Sequence, residues 1–187
     1  MPLRLTPDEI EARLARSPRR AAAVRGRPAA VLVPLLERGG ETRVVLTKRA
    51  SSLRKHAGQY AFPGGRRDEG DRDATATALR EAEEEVGLAP RDVRVLGALD
   101  DYLTSSGYLV TPVVGFVPDP YPWRPSADEV ERVVVLPLDA FVTPQRARTL
   151  LFEGFRRIVM AFDVEGHFVW GATASMLRDL ARRLRDD

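Results

Sequence analysis

The chain has no cysteine among its 187 residues. That excludes disulfides, thiolate nucleophiles and zinc–thiolate sites. Histidine is almost as scarce, with His56 and His167 alone. His167 lies between Gly166 and Phe168 and reads as structural, and His56 is assigned no metal role. Of the 29 basic residues only Lys48 and Lys55 are lysines, a bias read as compositional rather than functional. No apolar run approaches the ~18–20 residues of a membrane span. Met1-Pro2-Leu3-Arg4-Leu5 leads into acidic residues with no apolar signal core. A cytoplasmic protein with no membrane partner is expected. Two phosphate-binding signatures are also missing. No Gly-Lys-Ser/Thr follows Gly64-Gly65, and no G-x-G-x-x-G opens a helix.

What is present is ordinary for a globular chain, at 44% apolar and 30% charged residues. A net charge of +2 gives no reason to expect a nucleic-acid partner. The length suits one domain over 1–187, with an N-terminal helix and linker in 1–27 and the core in 28–187.

Thr6-Pro7-Asp8-Glu9 carries a capping box and a first-turn proline, so a helix starts there and stops before Pro18. Residues 19–27 form a basic linker. Strands are predicted over 29–36 and 42–47, joined by a turn at Glu37-Arg38-Gly39-Gly40. Pro34 weakens the end of the first. Residues 50–60 read as a loop rich in basic residues. A helix runs from about Asp73, a good cap, to Val86, stopped by Gly87. Strands follow over 93–103, 108–117 and 131–136, with a proline-rich loop before the last. A short helix is expected within 139–150, and a hairpin over 156–170 turns at Glu165-Gly166. A final helix starts near Ala172 with Leu177, Leu180 and Leu184 inward and arginines outward. Strands mixed with helices give an α/β class with a mixed sheet.

The chemistry concentrates between Phe62-Pro63-Gly64-Gly65 and Arg80-Glu81-Ala82-Glu83-Glu84-Glu85-Val86-Gly87. At roughly 100° per residue, Leu79, Ala82 and Val86 form an apolar stripe, and Glu81, Glu84 and Glu85 fall opposite it. These like charges repel, and they sit where the helix dipole disfavours anions. A divalent cation resolves both conflicts. Carboxylates are hard oxygen ligands suited to Mg²⁺ or Mn²⁺. The glycines let backbone approach such a site, so that the Gly65 carbonyl is available as a ligand. Arg80 is placed to hold a neighbouring carboxylate. The parts together read as metal-assisted hydrolysis of a phosphoanhydride. Arg49, Arg54, Lys55, Arg66 and Arg67 bracket the turn, and Arg49, Arg54 and Arg66 are the candidate substrate-binding residues.

At these residues the sequence resembles the Nudix hydrolases. Arg80 to Leu88 matches the second half of their signature. The first half departs. Asp71 stands where a Glu is usual, and the step from Asp71 to Arg80 is one residue longer. The departure is similar to that of the coenzyme A pyrophosphatase branch. An upstream motif of that branch matches Leu46-Thr47-Lys48-Arg49-Ala50, Arg54, Gly58 and Phe62-Pro63-Gly64-Gly65, with Val45 a conservative change. The resemblance implies an α/β/α sandwich with the signature as loop–helix–loop. It implies Glu81 and Glu85 as principal metal ligands, Glu84 as a third ligand or the residue that orients water, and Arg80 as a buttress. It implies cleavage of the coenzyme A pyrophosphate to 4′-phosphopantetheine and adenosine 3′,5′-bisphosphate. Some relatives carry a general base on a later loop. Here Glu129 and Glu131 follow the prolines, and Glu131 is the catalytic candidate. The alternatives are another nucleoside diphosphate derivative as substrate, or a non-catalytic nucleotide-sensing domain. A homodimer through the N-terminal helix and the apolar strands is the assembly suggested.

Overall fold

The computed structural model describes residues 2–52, 56–142, 146–152 and 155–185, with the backbone alone for 146–152 and 155–158. In chain order the elements are α1 (Pro7–Arg16), β1 (Arg27–Arg38), β2 (Glu41–Arg49), β3 (Tyr60–Ala61), β4 (Gly64–Arg66), α2 (Ala74–Val86), β5 (Arg94–Ala98), β6 (Tyr102–Leu103), β7 (Tyr108–Phe116), β8 (Val130–Pro137), β9 (Arg146–Phe152), β10 (Phe155–Val164), β11 (His167–Trp170) and α3 (Gly171–Leu184).

The central sheet is ordered β3-β2-β1-β7-β5, with β4 on β1, β6 on β7 and β8 on β2. It is mixed. β1 and β7 run parallel from Arg27 opposite Tyr108 to Leu35 opposite Phe116, and the other pairings are antiparallel. Pro34 is tolerated because it lies where one edge of β1 changes partner, from β4 at Ala29–Val31 to β2 at Leu35–Arg38.

The two faces of the sheet carry different covers. Ala30, Leu32, Val45 and Val113 pack under Ala78, Ala82 and Val86 of α2. Val33, Leu35, Val44 and Leu46 face Ile10 and Leu14 of α1, Leu177 and Leu180 of α3, and Phe162 and Val169 of the smaller sheet. These layers make the α/β/α sandwich. Each fully buried aliphatic side chain contributes about 1.5–3 kcal/mol of transfer free energy. The small antiparallel sheet, β11-β10-β9, lies on the α3 side. Among the described residues no helix is long and apolar enough to cross a membrane.

Three expectations are corrected. In place of a helix within 139–150, a single 3₁₀ turn at Leu138–Phe141 precedes strand β9, which pairs with β10. Non-local ladder pairing there overrides local propensity. The strand expected over 93–103 is split. β5 bulges between Val95 and Gly97, and Asp100 and Asp101 leave the ladder to pair with Arg183 and Arg19 at 3.0 and 2.8 Å. Arg183 therefore does not face solvent as the α3 pattern suggested. Its side chain is 11% exposed and also pairs with Asp179 at 3.0 Å.

Candidate active site

The glycine turn is shaped by what surrounds it. A Cβ on Gly64 would lie 2.5 Å from the Ala30 carbonyl oxygen, and one on Gly65 would lie 2.5 Å from the Glu81 carboxylate. At Gly64 the backbone contact admits no side chain, and at Gly65 a side chain would displace the Glu81 carboxylate. The Gly64 backbone acts on the Glu85 carboxyl and favours its charged form. The turn therefore meets both glutamates by backbone alone.

The helix that carries them starts at the cap Asp73, whose side chain accepts from the Ala76 N–H at 2.8 Å. It ends at Gly87 with φ 69°, and the Gly87 and Leu88 N–H groups return to Glu83 and Ala82. The proline-rich loop closes the remaining ends. Arg124 N–H donates to the Val86 carbonyl and Ser126 N–H to the Glu85 carbonyl, at 2.9 and 2.8 Å. Tyr121 Oη accepts from Ala89 N–H at 3.0 Å and donates to Asp92 at 3.0 Å. The loop thereby relieves part of the unfavourable dipole end and places the residues that follow it.

Asp71 and Arg80 form the first charged group. Asp71 is 8% exposed. It accepts from Arg80 Nε and Nη2 at 3.1 and 3.0 Å, from the Asp68 N–H at 3.0 Å and from the Thr77 hydroxyl at 2.9 Å. Arg80 and the Asp68 N–H hold its carboxyl far below the usual carboxylate range. Arg80 also donates to the Arg66 carbonyl at 3.0 Å and pairs with Glu81 at 3.0 Å and Glu84 at 3.2 Å. Asp71, chiefly, raises the guanidinium pKa further. Sequence reading had left Asp71 without a role. Its signal was the joint departure, a shorter acid on a longer loop.

Glu81, Glu85 and Glu129 form the second group. Glu85 is 4% exposed. Burial first, then the charge of Glu129, push its pKa up to about 8, against the opposing pull of Arg49 and the Gly64 backbone. Glu81 is raised by burial, with Arg80 opposing and Glu84 and Glu129 adding to the rise. The sequence places Glu81, Glu84 and Glu85 together opposite the apolar stripe, and the structure separates them. Glu85 turns inward with Ala78 and Ala82, at the helical spacing of the buried stripe. Glu84 remains 60% exposed against Arg80.

The other candidates fall as follows. The Arg49 Nε is buried without a hydrogen-bond partner among the described residues, and its charge acts on Glu85. Arg66 lends its carbonyl to Arg80 while its side chain is exposed. Arg54 lies outside the described residues. Glu131 is not brought to the carboxylates. It pairs with Lys48 at 2.8 Å, which lies across from Tyr60, a residue packed on the core face opposite α2. The charge of Glu129 instead acts on Glu81 and Glu85. Glu129 precedes β8, where its N–H donates to the Ser126 carbonyl at 3.0 Å and its carbonyl accepts from the Ala50 N–H at 2.9 Å. Glu131 lies within β8, where the pairing with β2 shifts between Lys48 and Arg49.

Among the described residues no three acidic or imidazole side chains converge as a ready metal cage. The donor set nonetheless fits a hard divalent cation. Glu81 and Glu85 are carboxylates drawn to one glycine turn, with excess negative charge from Glu129. Mg²⁺ is commonly held by one or two carboxylates and completes its shell with water or substrate phosphate.

A sequence model of the family described as NUDIX domain matches residues 26–157. The chain is 45% identical over 160 residues to a Salmonella paratyphi B protein named "Uncharacterized Nudix hydrolase NudL", covering 84% of this chain and 83% of that one. Its fold is similar to that of a C. elegans Ap4A hydrolase in a binary complex, at TM-score 0.52 and 20% identity over 59% of this chain and 80% of that one. It is likewise similar to a NUDIX hydrolase from Alicyclobacillus acidocaldarius, at TM-score 0.53 and 19% identity over 63% and 81% of the respective chains. The loop–helix–loop geometry and these matches agree, and the chain belongs to the Nudix hydrolase family.

Proposed function

We propose that the protein is a metal-dependent diphosphatase that splits the pyrophosphate of coenzyme A, or of its disulfide or acyl derivatives, into 4′-phosphopantetheine and adenosine 3′,5′-bisphosphate. The observation that carries this reading is the junction of two motifs. The charge of Arg49, in the upstream motif, acts on Glu85 of the signature helix.

In this reading Glu81 and Glu85 hold Mg²⁺ or Mn²⁺, with the Gly65 carbonyl and Glu84 as further donors. The metal supplies charge for the phosphoryl oxygens and acidifies a water. Arg80 holds Glu81 and Glu84 in place from its anchor on Asp71. Arg49 and Arg66, with Arg54, meet the phosphates. Glu129 takes the place expected of Glu131 and accepts the proton of the attacking water. The water oxygen bonds to one phosphorus, the bridging P–O bond breaks, and the second phosphate leaves as a monoester.

The test is turnover of coenzyme A, its disulfide, acetyl-coenzyme A, ADP-ribose, a dinucleoside polyphosphate and NADH, with Mg²⁺ and with EDTA. The expected result is Mg²⁺-dependent release of both named products, with the highest kcat/KM on a coenzyme A species. A higher kcat/KM on another nucleotide overturns the substrate. No turnover on any of them, with Mn²⁺ binding intact, overturns the enzyme in favour of a nucleotide sensor.

A further inference from the structure

His167 opens β11, beyond the last residue of the family match at 157. Its Nδ1 lies 2.7 Å from Tyr60 Oη. The two rings meet edge to face at 5.1 Å and 82°. Tyr60 is the first residue of the segment that runs through Ala61, Phe62 and Pro63 into Gly64. The other tethers of that segment come from the central sheet and the site. The Ala61 carbonyl accepts the Thr47 hydroxyl at 3.1 Å. The Pro63 carbonyl accepts the Leu32 N–H at 2.9 Å. Gly64 pairs with Val31 of β1, and its backbone acts on Glu85. Phe62 is buried and sets the depth of the segment, but it has no polar group to fix its position along the strand.

Tyr60 pairs across from Lys48 and packs into the core on the face away from α2. It does not reach the carboxylates itself. We propose that His167 is a positioning residue for the active site. Through Tyr60 it fixes the start of the glycine turn, and so the Gly64 backbone and Gly65 Cα on which Glu85 and Glu81 rest. The C-terminal sheet is then part of the catalytic apparatus as well as a cover for the core. The turn is held along Gly64–Arg66 by its ladder with Ala29–Val31 of β1. The glycines add no side chains of their own, so where the chain enters that ladder depends on how the segment before it is anchored. Displacements of about 1 Å suffice to slow a positioned reaction.

The kinetic part of the test rests on the proposed function, and the exchange part does not. Tyr60→Phe and His167→Phe keep ring volume and remove the hydrogen bond. Each is expected to lower kcat on coenzyme A by ~3–10-fold, in line with one lost hydrogen bond, with KM within about twofold. The double variant is expected to be no worse than either single one. His167→Asn, which retains an acceptor for the phenol, is expected to restore most of kcat. In the metal-free protein, amide exchange at Ala61, Phe62 and Gly64 should quicken by ~3–10-fold in both Phe variants and not in His167→Asn. Unchanged exchange in that segment together with a lower Tm overturns the proposal, as does a double variant whose losses multiply. If the wild-type protein turns over none of the nucleotides, the proposed function fails and the exchange result still decides the role of His167.

Discussion

The two flanks of α2 are neutralised very differently. On one, Asp71 is buried with Arg80, Thr77 and a backbone N–H all donating to it. On the other, Glu85 is buried with Glu81 and Glu129 acting on it, and among the described residues Arg49 and the Gly64 backbone oppose them. Burial is the largest contribution at Glu85, whereas at Asp71 the donors of Arg80 and the Asp68 N–H outweigh it. Burial and partners together invert the effect on each carboxyl. Asp71 is driven below its ordinary pKa and Glu85 above it. A satisfied buried carboxylate serves the fold. One left among like charges is a candidate for function.

The strongest way to break this comparison is Glu85→Gln. We expect kcat to fall by at least ~10³-fold, the upper range for loss of a single electrostatic contact to the transition state. The Tm of the metal-free protein should not fall, because the change removes a buried charge that lacks a full partner. Mg²⁺ should no longer raise the Tm. A drop in Tm like that of an ordinary core variant would show Glu85 to be structural.

Glu129→Gln is expected to lower kcat by ~10²-fold with little change in KM, and Glu131→Gln by less than ~3-fold. Equal effects from the two would place the base elsewhere. Asp71→Asn probes the satisfied flank. It removes the charge from a buried pair, so we expect a loss of about 2–3 kcal/mol, read as a Tm lowered by ~5–10 °C. The activity loss should be smaller than for Glu85→Gln, about tenfold, because Arg80 loses its anchor but Glu81 and Glu85 remain.

The smallest effect is the pH dependence of that stability difference. The folded pKa of Asp71 lies below its ordinary value of 3.8. Its stabilisation is therefore complete above that value and is lost as pH falls through the folded pKa. The Tm gap between wild type and Asp71→Asn should stay constant from about pH 5 to 8 and narrow below about pH 4. A gap that widens in acid would reverse the sign and remove Asp71 from the account.

Much of the fold was legible because it rests on local signals. The Thr6–Glu9 capping box forms as read, with both hydrogen bonds present. Asp73 caps α2, and Gly87 ends it in the left-handed conformation. The hydrophobic runs at 29–36 and 42–47 lie within paired strands of the sheet centre. What was not legible depended on partners distant in the chain. β9 owes its strand state to β10. Asp100 and Asp101 leave their strand for arginines of α3 and the linker. Of Glu129 and Glu131, two residues apart, the first lies on the loop before β8 and its charge acts on Glu81 and Glu85, while the second pairs with Lys48.

The sequence by itself determined the kind of chemistry. Carboxylate spacing, the glycine turn and the neighbouring arginines are set by residue identity, and a helix converts that spacing to one neighbourhood through its 3.6-residue period. The tertiary structure decided which charges are satisfied. Burial and partnership are properties of the assembled layers. Only there does Asp71 meet Arg80, does Glu85 feel the charge of Glu129, and does His167 reach the strand that leads to the glycines.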